Sequence, residues 1–241
     1  MTNGISRETI KRLPAYLRYL QDLYKTGTKN ISSTVIATHF KANPVQVRKD
    51  LSCVSSTSGK PRTGFSVAEL IVDISNYLGY DEASDAILVG VGQLGRTLLS
   101  YQGFANYGLR IIAGFDENRT GCSEVDCGCV MDAKSNAELL ERLKADGMTC
   151  KSRVNGKCVF SMSQLPDLVN RLHIKIGIIT VPKSEAQGVA DLLVASGIRA
   201  IWNFAPTQLK LPQNVVVKYE DMAASLALLS NTLKEKMKGK Q

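Results

Sequence analysis

The composition of the chain narrows its function before any motif is considered. Its 241 residues carry 30 Lys and Arg against 22 Asp and Glu, a formal net charge of +8. No apolar run approaches the ~20 residues that span a bilayer, and the opening sequence MTNGISRETIKRL lacks the apolar stretch of a secretory signal. We therefore expect a cytoplasmic protein that has no membrane partner. The net positive charge favours a polyanionic partner.

The positive charge is concentrated in the first third of the chain. Residues 1–80 contain eleven Lys and Arg and five acids, a net charge of +6. Apolar residues recur at helical spacing through RLPAYLRYLQDLYKTG, where Gly27 is a helix stop and Pro14 should start or kink the helix. We predict a separate basic domain over residues 1–80.

Two short helices joined by a tight turn are expected next. Ser32 or Ser33 can cap the first helix, and Asn43 can cap the second, with Pro44 at its first position. The second helix carries the residue types that reach base edges and phosphates in the major groove. These residues are Gln46, Arg48, Lys49 and Ser52. The pattern indicates a helix-turn-helix.

A short basic segment behind these helices fits the wing of a winged helix. The segment SSTSGKPRTGF is polar and punctuated by Gly and Pro, and its Lys60 and Arg62 would reach the minor groove or the backbone of DNA. The alternative is a basic surface on an ordinary three-helix bundle without a nucleic-acid partner.

A glycine-rich turn follows the linker EASD, residues 82–85. The stretch AILVGVGQLGRTLLSY predicts a buried strand, a G-x-G-x-x-G turn and a helix start, as in dinucleotide-binding folds. The predicted ligand residues of this turn are Gly90, Val91, Gly92, Gln93, Leu94 and Gly95. A second strand, LRIIAGFD, ends at Asp116, where an acid binds a ribose 2′-hydroxyl and favours NAD(H) over NADP(H). Arg119 could reverse that preference, unless it is a solvated loop residue.

The rest of the chain alternates strands and helices, which predicts an α/β parallel sheet of the Rossmann type over residues 86–219. Strands are expected in IKIGIITVP and IRAIWNFAP, with a helix between them. Residues 220–241 form a last helix with an apolar stripe of Met222, Leu226, Leu229, Leu233 and Met237. This stripe could pack on its own sheet or cross to a second subunit, which a symmetric DNA reader needs.

Little in the sequence suggests catalysis. A hydride-transfer enzyme normally adds a substrate domain and an acid or base beside the nicotinamide. Its two histidines, His39 and His173, lie in the predicted helix-turn-helix and just before a strand, and neither is in an obvious catalytic place. We therefore expect that the dinucleotide is read and not consumed; a small NAD-dependent oxidoreductase is the alternative.

Several motifs together resemble one known family. The motifs YLRYL, QVRKDLS, VGVGQLGRTLLSYQGF, AGFD, TVP, WNFAP and YEDMAASLALLS are similar, in this order, to those of the Rex-type redox-sensing transcriptional repressors of bacteria. The resemblance implies a homodimer with an N-terminal winged helix and a Rossmann domain whose last helix is exchanged between subunits. It also implies binding to double-stranded DNA at an inverted-repeat operator, release of that DNA by NADH, and competition by NAD+ that does not release it.

The resemblance also assigns roles to individual residues. It implies that Arg12 and Arg18 face DNA together with the residues of the second helix. It implies a switch in which Tyr101 and Asp221 exchange contacts with an arginine, for which Arg18 is the candidate. The nicotinamide-side wall would consist of Val181, Pro182, Asn203, Phe204, Ala205 and Pro206. For Tyr101 and Phe204 the alternative is ordinary core packing.

The chain departs from the family in two places. After DLS it carries Cys53 to Ser58 in place of an aromatic and glycine pattern, which affects operator affinity. An insertion at about residues 122–155 contains cysteines that could bind a metal, form a thiol redox site or remain free. The candidates are Cys122, Cys127, Cys129 and Cys150. A second functional hypothesis is therefore a DNA-binding regulator that senses redox or metal through this insertion.

Overall fold

The computed structural model describes residues 5–57, 59, 63–80, 84–117 and 148–238. Its internal contacts divide the chain into two compact units, residues 1–82 and 83–241. Among the helices in the described stretches, none combines the length and apolar character needed to cross a bilayer.

The first unit is helical. Its helices are α1 (Arg7–Lys25), α2 (Ser33–Phe40), α3 (Pro44–Val54) and α4 (Val67–Leu78). Two short strands, β1 (Asn30–Ile31) and β2 (Phe65–Ser66), pair antiparallel. The caps follow from the sequence, since Ser32 accepts a hydrogen bond from the Val35 N–H at the start of α2 and Asn43 accepts one from the Val45 N–H at the start of α3.

The first helix begins earlier than Pro14, contrary to one of the two expectations for that residue. Ser6 caps α1 by accepting a hydrogen bond from the Thr9 N–H, and the helix continues through Pro14 to Lys25. Buried Leu13, Leu17 and Leu20 on the same helix anchor it to the core of the unit. We infer that this packing offsets the hydrogen bond that a proline removes.

In its described residues the second unit is a seven-stranded sheet with helices. Its strands are β3 (Ser84–Val89), β4 (Leu109–Phe115), β5 (Ser152–Val154), β6 (Lys157–Phe160), β7 (Ile176–Ile179), β8 (Ala200–Asn203) and β9 (Val216–Tyr219). Its helices are α5 (Gln93–Ser100), α6 (Leu165–Arg171), α7 (Lys183–Ala195) and α8 (Met222–Lys238), with short 3₁₀ turns at Gln102–Tyr107 and Met162–Gln164. The predicted α/β class is confirmed.

The strand order places a ligand crevice in this sheet. The order is β5-β6-β4-β3-β7-β8-β9, and each neighbouring pair is parallel except β5 and β6. The chain leaves β3 toward β4 and later returns to its other side as β7. In doubly wound sheets such a switch point opens a crevice at the carboxyl ends of the strands.

The two faces of the sheet bury alternate residues of the same strands. On β3, Ile87 and Val89 belong to one apolar cluster, whereas Ala86 and Leu88 belong to the other. A strand buried on both faces must be apolar throughout, which explains the run Ile-Leu-Val that the sequence showed.

Two parts of the second unit differ from the sequence expectation. Ser84 and Asp85, predicted as linker, belong to β3. The last residues of the predicted insertion 122–155 form β5, which pairs with β6 as a hairpin, while residues 118–147 lie outside the described chain. This hairpin supports α5, because Lys157 donates a hydrogen bond to the Leu99 carbonyl at 2.8 Å and Asn155 donates one to the Ser100 carbonyl at 3.2 Å.

Candidate functional site

The glycine-rich turn between β3 and α5 depends on the absence of side chains. Gly90 has φ +97°, and a Cβ there would lie 2.7 Å from Val181 Cγ1. A Cβ at Gly95 would collide with the Gly90 carbonyl oxygen, so α5 can approach the turn only through a glycine. A Cβ at Gly92 would meet nothing within 4 Å. The space beside Gly92 is therefore open to a ligand.

A crevice of about 310 Å³ opens beside this turn. Predicted ligand residues that line it are Gly90, Val91, Gly92, Asp116, Val181 and Pro182. Gln93, Leu94 and Gly95 form the first turn of α5, whose amino end begins at the rim of the crevice. A helix amino terminus presents free N–H groups and a positive dipole end, which suit a phosphate.

Asp116 lies at the end of β4 and faces the glycine-rich turn. Its Oδ2 accepts a hydrogen bond from the Val91 N–H at 2.7 Å, and its own N–H donates to the Phe160 carbonyl at 3.1 Å. The neighbouring Glu117 is exposed and also lines the crevice. Two carboxylates at this rim favour a ribose hydroxyl donor and repel a second phosphate on the ribose.

Thr180 is a structural residue of the site that the sequence reasoning missed. Its hydroxyl lies within hydrogen-bond distance of the Gly90 carbonyl at 2.6 Å and of the Val89 carbonyl at 3.0 Å. It thereby fixes β7 against the glycine-rich turn at the switch point. Its position directly after a buried strand, in the motif TVP, was the available signal.

The predicted nicotinamide-side wall is only partly at the crevice. Val181 and Pro182 line it, but the turn Asn203–Pro206 does not. Asn203 is fully buried, and its side chain is used within its own turn: Nδ2 donates to the Ala205 and Thr207 carbonyls and Oδ1 accepts from the Ala205 N–H. The assignment of Asn203, Phe204, Ala205 and Pro206 to the cofactor site stays a prediction, and in this structure the Asn203 amide stabilises its own turn.

The residues of the predicted switch are all exposed. Arg18 is exposed on α1 in the first unit. In the second unit Tyr101 is 54% exposed and packs edge-on against Phe104 at 4.8 Å between ring centroids. Asp221 is exposed and caps α8 by accepting a hydrogen bond from the Ala224 N–H. The three side chains therefore remain candidates for contacts that form in another state.

The predicted DNA-contacting residues of α3 are all exposed. They are Gln46, Arg48, Lys49 and Ser52. Val47, Asp50 and Leu51 of the same helix are buried in the core of the unit. Lys60 and Arg62, predicted for the wing, lie outside the described residues.

The buried carboxylate of Asp50 links α3 to α1. Asp50 is 1% exposed and accepts hydrogen bonds from four side chains. Arg12 donates through Nε at 2.7 Å and through Nη2 at 2.9 Å. Thr9 donates at 3.0 Å, Tyr16 at 3.2 Å and Gln46 Nε2 at 2.8 Å. Arg12 was predicted to face DNA, but two nitrogens of its guanidinium bind Asp50 inside the protein.

These contacts determine the charge state of Asp50. Burial alone raises the pKa of a carboxyl, but the hydrogen bonds from Arg12, Gln46 and Thr9 outweigh it, so the pKa of Asp50 is lowered. The same pair raises the pKa of Arg12, chiefly through its hydrogen bond to Asp50. Burial raises the pKa of Tyr16, and the adjacent Asp50 charge adds to that effect. Asp50 is thus an ionised acceptor at neutral pH.

The unusual segment after α3 is fixed to α4. Ser56 donates its N–H and its hydroxyl to Asp73 Oδ2 at 2.8 and 2.9 Å, and the Thr57 hydroxyl donates to Glu69 Oε2 at 2.9 Å. Ser56 and Thr57, in this departure from the family pattern, therefore tie the chain to α4 before the predicted wing.

The structure describes only one of the four cysteines that were predicted as metal or redox candidates. Cys122, Cys127 and Cys129 lie outside the described residues. Cys150 forms a disulfide with Cys158 of β6, with the two Cα atoms 5.5 Å apart, so neither a metal-binding thiolate nor a free thiol remains at position 150. In residues 5–117 and 148–238, apart from the undescribed gaps, no group of three metal-ligating side chains comes together. Cys53 is an exposed free thiol.

A helix-turn-helix with an exposed basic helix and a doubly wound nucleotide-binding unit in one chain define the class of nucleotide-responsive DNA-binding proteins. Comparison with protein families agrees with both halves. Residues 4–52 match the model described as "Putative DNA-binding protein N-terminus". Residues 81–207 match the model described as "CoA binding domain".

Curated relatives and solved structures specify the family. The redox-sensing transcriptional repressor Rex of Porphyromonas gingivalis is 36% identical over 230 residues, covering 95% of this chain and 92% of the relative. Rex of Clostridium beijerinckii is 35% identical over 232 residues and covers 96% of both. The chain belongs to the Rex family of redox-sensing transcriptional repressors.

The solved structures of a Rex-family repressor, RSP, have the same fold. RSP in complex with β-NAD+ and operator DNA is 30% identical, with a TM-score of 0.79 over 99% of this chain and 97% of that chain. RSP in complex with β-NADH is also 30% identical, with a TM-score of 0.75 over 99% of both chains.

Proposed function

We propose that this protein is a cytoplasmic transcriptional repressor that senses the ratio of NADH to NAD+ and leaves operator DNA when NADH binds. The observation that carries the proposal is the pairing, in one chain, of an exposed basic recognition helix with a glycine-lined nucleotide crevice. Its relatives are redox-sensing repressors, and the RSP structures contain NADH, or NAD+ with operator DNA.

The crevice suits NAD(H) in each of its parts. The open space at Gly92 and the amino end of α5 receive the pyrophosphate. Asp116 and Glu117 face the adenosine ribose, where a hydroxyl can donate and a phosphate is repelled. CoA, named by the family model, shares the pyrophosphate but carries a phosphate on its ribose, so these carboxylates favour NAD(H) over CoA.

The lining supports binding without turnover. Among the described residues, the titratable side chains that line the crevice are the carboxylates Asp116, Glu117 and Glu185. A hydride-transfer enzyme normally holds a proton donor beside the nicotinamide. In the proposed function the dinucleotide is a signal and not a substrate, in line with the repressor relatives.

A homodimer supplies the symmetry that an inverted-repeat operator requires. The apolar stripe of α8 is exposed: Met222 64%, Leu226 63%, Leu229 66%, Leu233 58% and Met237 67%. Exposed apolar patches of this kind mark interfaces. In the proposed dimer α8 packs on a second copy of the chain, while residues 1–80 bind DNA and residues 86–219 bind the dinucleotide.

The two ligands are coupled through the switch. NADH can shift the protein between two states only by binding one of them more tightly. Arg18 exchanges contacts with Tyr101 and Asp221 between those states, and this exchange changes the spacing of the two DNA-binding domains. Arg12, Arg18, Gln46, Arg48, Lys49, Ser52, Lys60 and Arg62 form the DNA surface.

Fluorescence anisotropy tests this function. Duplexes from the region upstream of the protein's own gene are titrated with the protein in the presence of NADH, of NAD+ or of neither. The salt concentration is fixed because phosphate contacts make affinity strongly salt-dependent. We expect specific binding that NADH weakens and NAD+ preserves. Specific binding that ignores NADH, or NADH turnover without specific DNA binding, would contradict the proposal.

One observation favours a second input. The Cys150–Cys158 disulfide ties residue 150, at the end of the undescribed stretch, to the strand beside the nucleotide crevice. Thiol chemistry in this region is therefore a second candidate signal. Protein purified without oxygen should contain near-stoichiometric zinc or iron if the remaining cysteines bind a metal, and elemental analysis that finds neither would exclude the metal version.

A further inference from the structure

We propose that Asp50 is a positioning residue that fixes the orientation of the Gln46 amide, and that Gln46 consequently reads an adenine in the operator. This inference rests on the proposed function, since it concerns the base that the DNA surface recognises. It is carried by the position of a buried carboxylate behind an exposed glutamine on the same helix face.

The orientation follows from the charge of Asp50. The buried carboxylate meets the guanidinium of Arg12 through both of its oxygens, at 2.7 and 2.9 Å. An ionised carboxylate accepts hydrogen bonds and donates none. Gln46 therefore turns its NH₂ group toward Asp50, with Nε2 to Oδ1 at 2.8 Å, since its carbonyl oxygen would be repelled there.

The orientation leaves a defined pair of groups for DNA. Gln46 is exposed, and its amide retains the carbonyl oxygen and one N–H. In the major groove adenine offers an amino donor at N6 and an acceptor at N7, whereas guanine offers two acceptors and thymine an acceptor beside a methyl group. Adenine is the base that satisfies both remaining groups of the amide.

Arg12 makes this arrangement compatible with DNA. A lone carboxylate under a DNA-binding helix would repel phosphates and would be costly to bury. Nε and Nη2 of Arg12 neutralise it, and the Arg12 side chain remains 33% exposed. Asp50 thus positions both an amide and a cation at the same face.

The experiment measures a discrimination profile instead of a single affinity. Each A·T pair of a bound duplex is replaced in turn by G·C, and the loss of affinity is measured for the wild type, Asp50→Asn, Gln46→Ala and the double variant. We expect a symmetric pair of positions at which the wild type prefers adenine by about tenfold or more. Gln46→Ala should abolish that preference.

Asp50→Asn should reduce the same preference, because an asparagine can offer a donor to Gln46 and permit the amide to flip. It should have no further effect on discrimination in the Gln46→Ala background. The matched control is Tyr16→Phe, which removes another hydrogen bond to Asp50 without touching the amide. It should weaken binding to every duplex by the same factor.

A second variant covers the case in which Asp50→Asn fails to fold. Gln46→Glu changes an exposed side chain, leaves only acceptors and should move the preference from adenine to cytosine, whose amino group is a donor. An unchanged adenine preference in Gln46→Glu, or an Asp50→Asn profile parallel to the wild type, would overturn the inference. Absence of specific binding by the wild type would instead defeat the proposed function.

Discussion

The two recognition surfaces of this protein are built in opposite ways. Helix α3 offers polar and basic side chains, at least one of which is held by a buried acid, Asp50, through side-chain hydrogen bonds. The turn from Gly90 to Gly95 offers backbone groups, and close approach excludes a side chain at Gly90 and at Gly95. DNA binding should therefore be sensitive to the loss of a side-chain hydrogen bond at the first surface. Nucleotide binding should be sensitive to the addition of a single carbon at the second surface.

The largest effect should come from adding that carbon. Gly95→Ala places a methyl group against the Gly90 carbonyl oxygen, and we expect it to weaken NADH binding by about 3 kcal/mol, or roughly 100-fold. Titration of NADH fluorescence measures this. Gly188→Ala is the matched control, since a Cβ at this helical glycine meets nothing within 4 Å. Equal affinities for both variants would show that the close approach at Gly95 is irrelevant.

A smaller effect is expected from the acid at the end of β4. Asp116→Asn replaces a charged hydrogen-bond acceptor and should weaken NADH binding by about 1.5 kcal/mol. It should also reduce the ratio of the affinity for NADH to the affinity for NADPH. Competition between the two nucleotides measures the preference. Asp191→Asn removes an exposed carboxylate of α7 and should change neither quantity. If Asp116→Asn retained the full preference, the ribose assignment would be wrong.

Loss of a basic side chain from α3 should have a smaller effect, and this effect should appear in the salt dependence of DNA binding. Lys49→Ala should weaken binding by about 1 kcal/mol on all duplexes and lower the slope of log affinity against log salt by about 1. Lys210→Ala, which removes an exposed cation from the second unit, serves as the control and should leave the slope unchanged. A sequence-dependent loss with an unaltered slope would argue against a phosphate contact.

The smallest effect concerns acid stability. Burial raises the pKa of Asp50, but its hydrogen bonds lower it further, so its pKa lies below the ordinary value. Such a carboxylate stabilises the fold above its unfolded pKa, near 4, and the stabilisation is lost as pH falls through its folded pKa. The free energy of unfolding of the wild type should thus decline below about pH 4 more steeply than that of Asp50→Asn. Parallel curves from chemical denaturation would contradict the assignment.

The two surfaces also differed in how far the sequence could predict them. The glycine-rich turn was located correctly because its requirement is local: a glycine at fixed spacing between a strand and a helix. The importance of Asp50 was missed, because its burial depends on Thr9, Arg12 and Tyr16, which lie 34 to 41 residues away. An acidic residue next to Arg and Lys on a short helix otherwise indicates an exposed face of that helix.

Other differences have similar causes. Asn203 follows a strand at the expected edge of the sheet, yet its amide is consumed by its own turn, which spacing alone does not reveal. Strands β5, β6 and β9 are three or four residues long. The equally short β7 and β8 could be predicted because each lies in a longer apolar stretch of the sequence.

If the DNA surface and the nucleotide crevice are coupled, their coupling must be reciprocal. A coupling free energy between two binding sites is the same whichever ligand is varied. The dissociation constant of NADH should therefore increase in the presence of saturating operator duplex, by the same factor by which NADH weakens DNA binding, whereas that of NAD+ should not increase. An NADH affinity that is identical with and without the duplex would contradict the account.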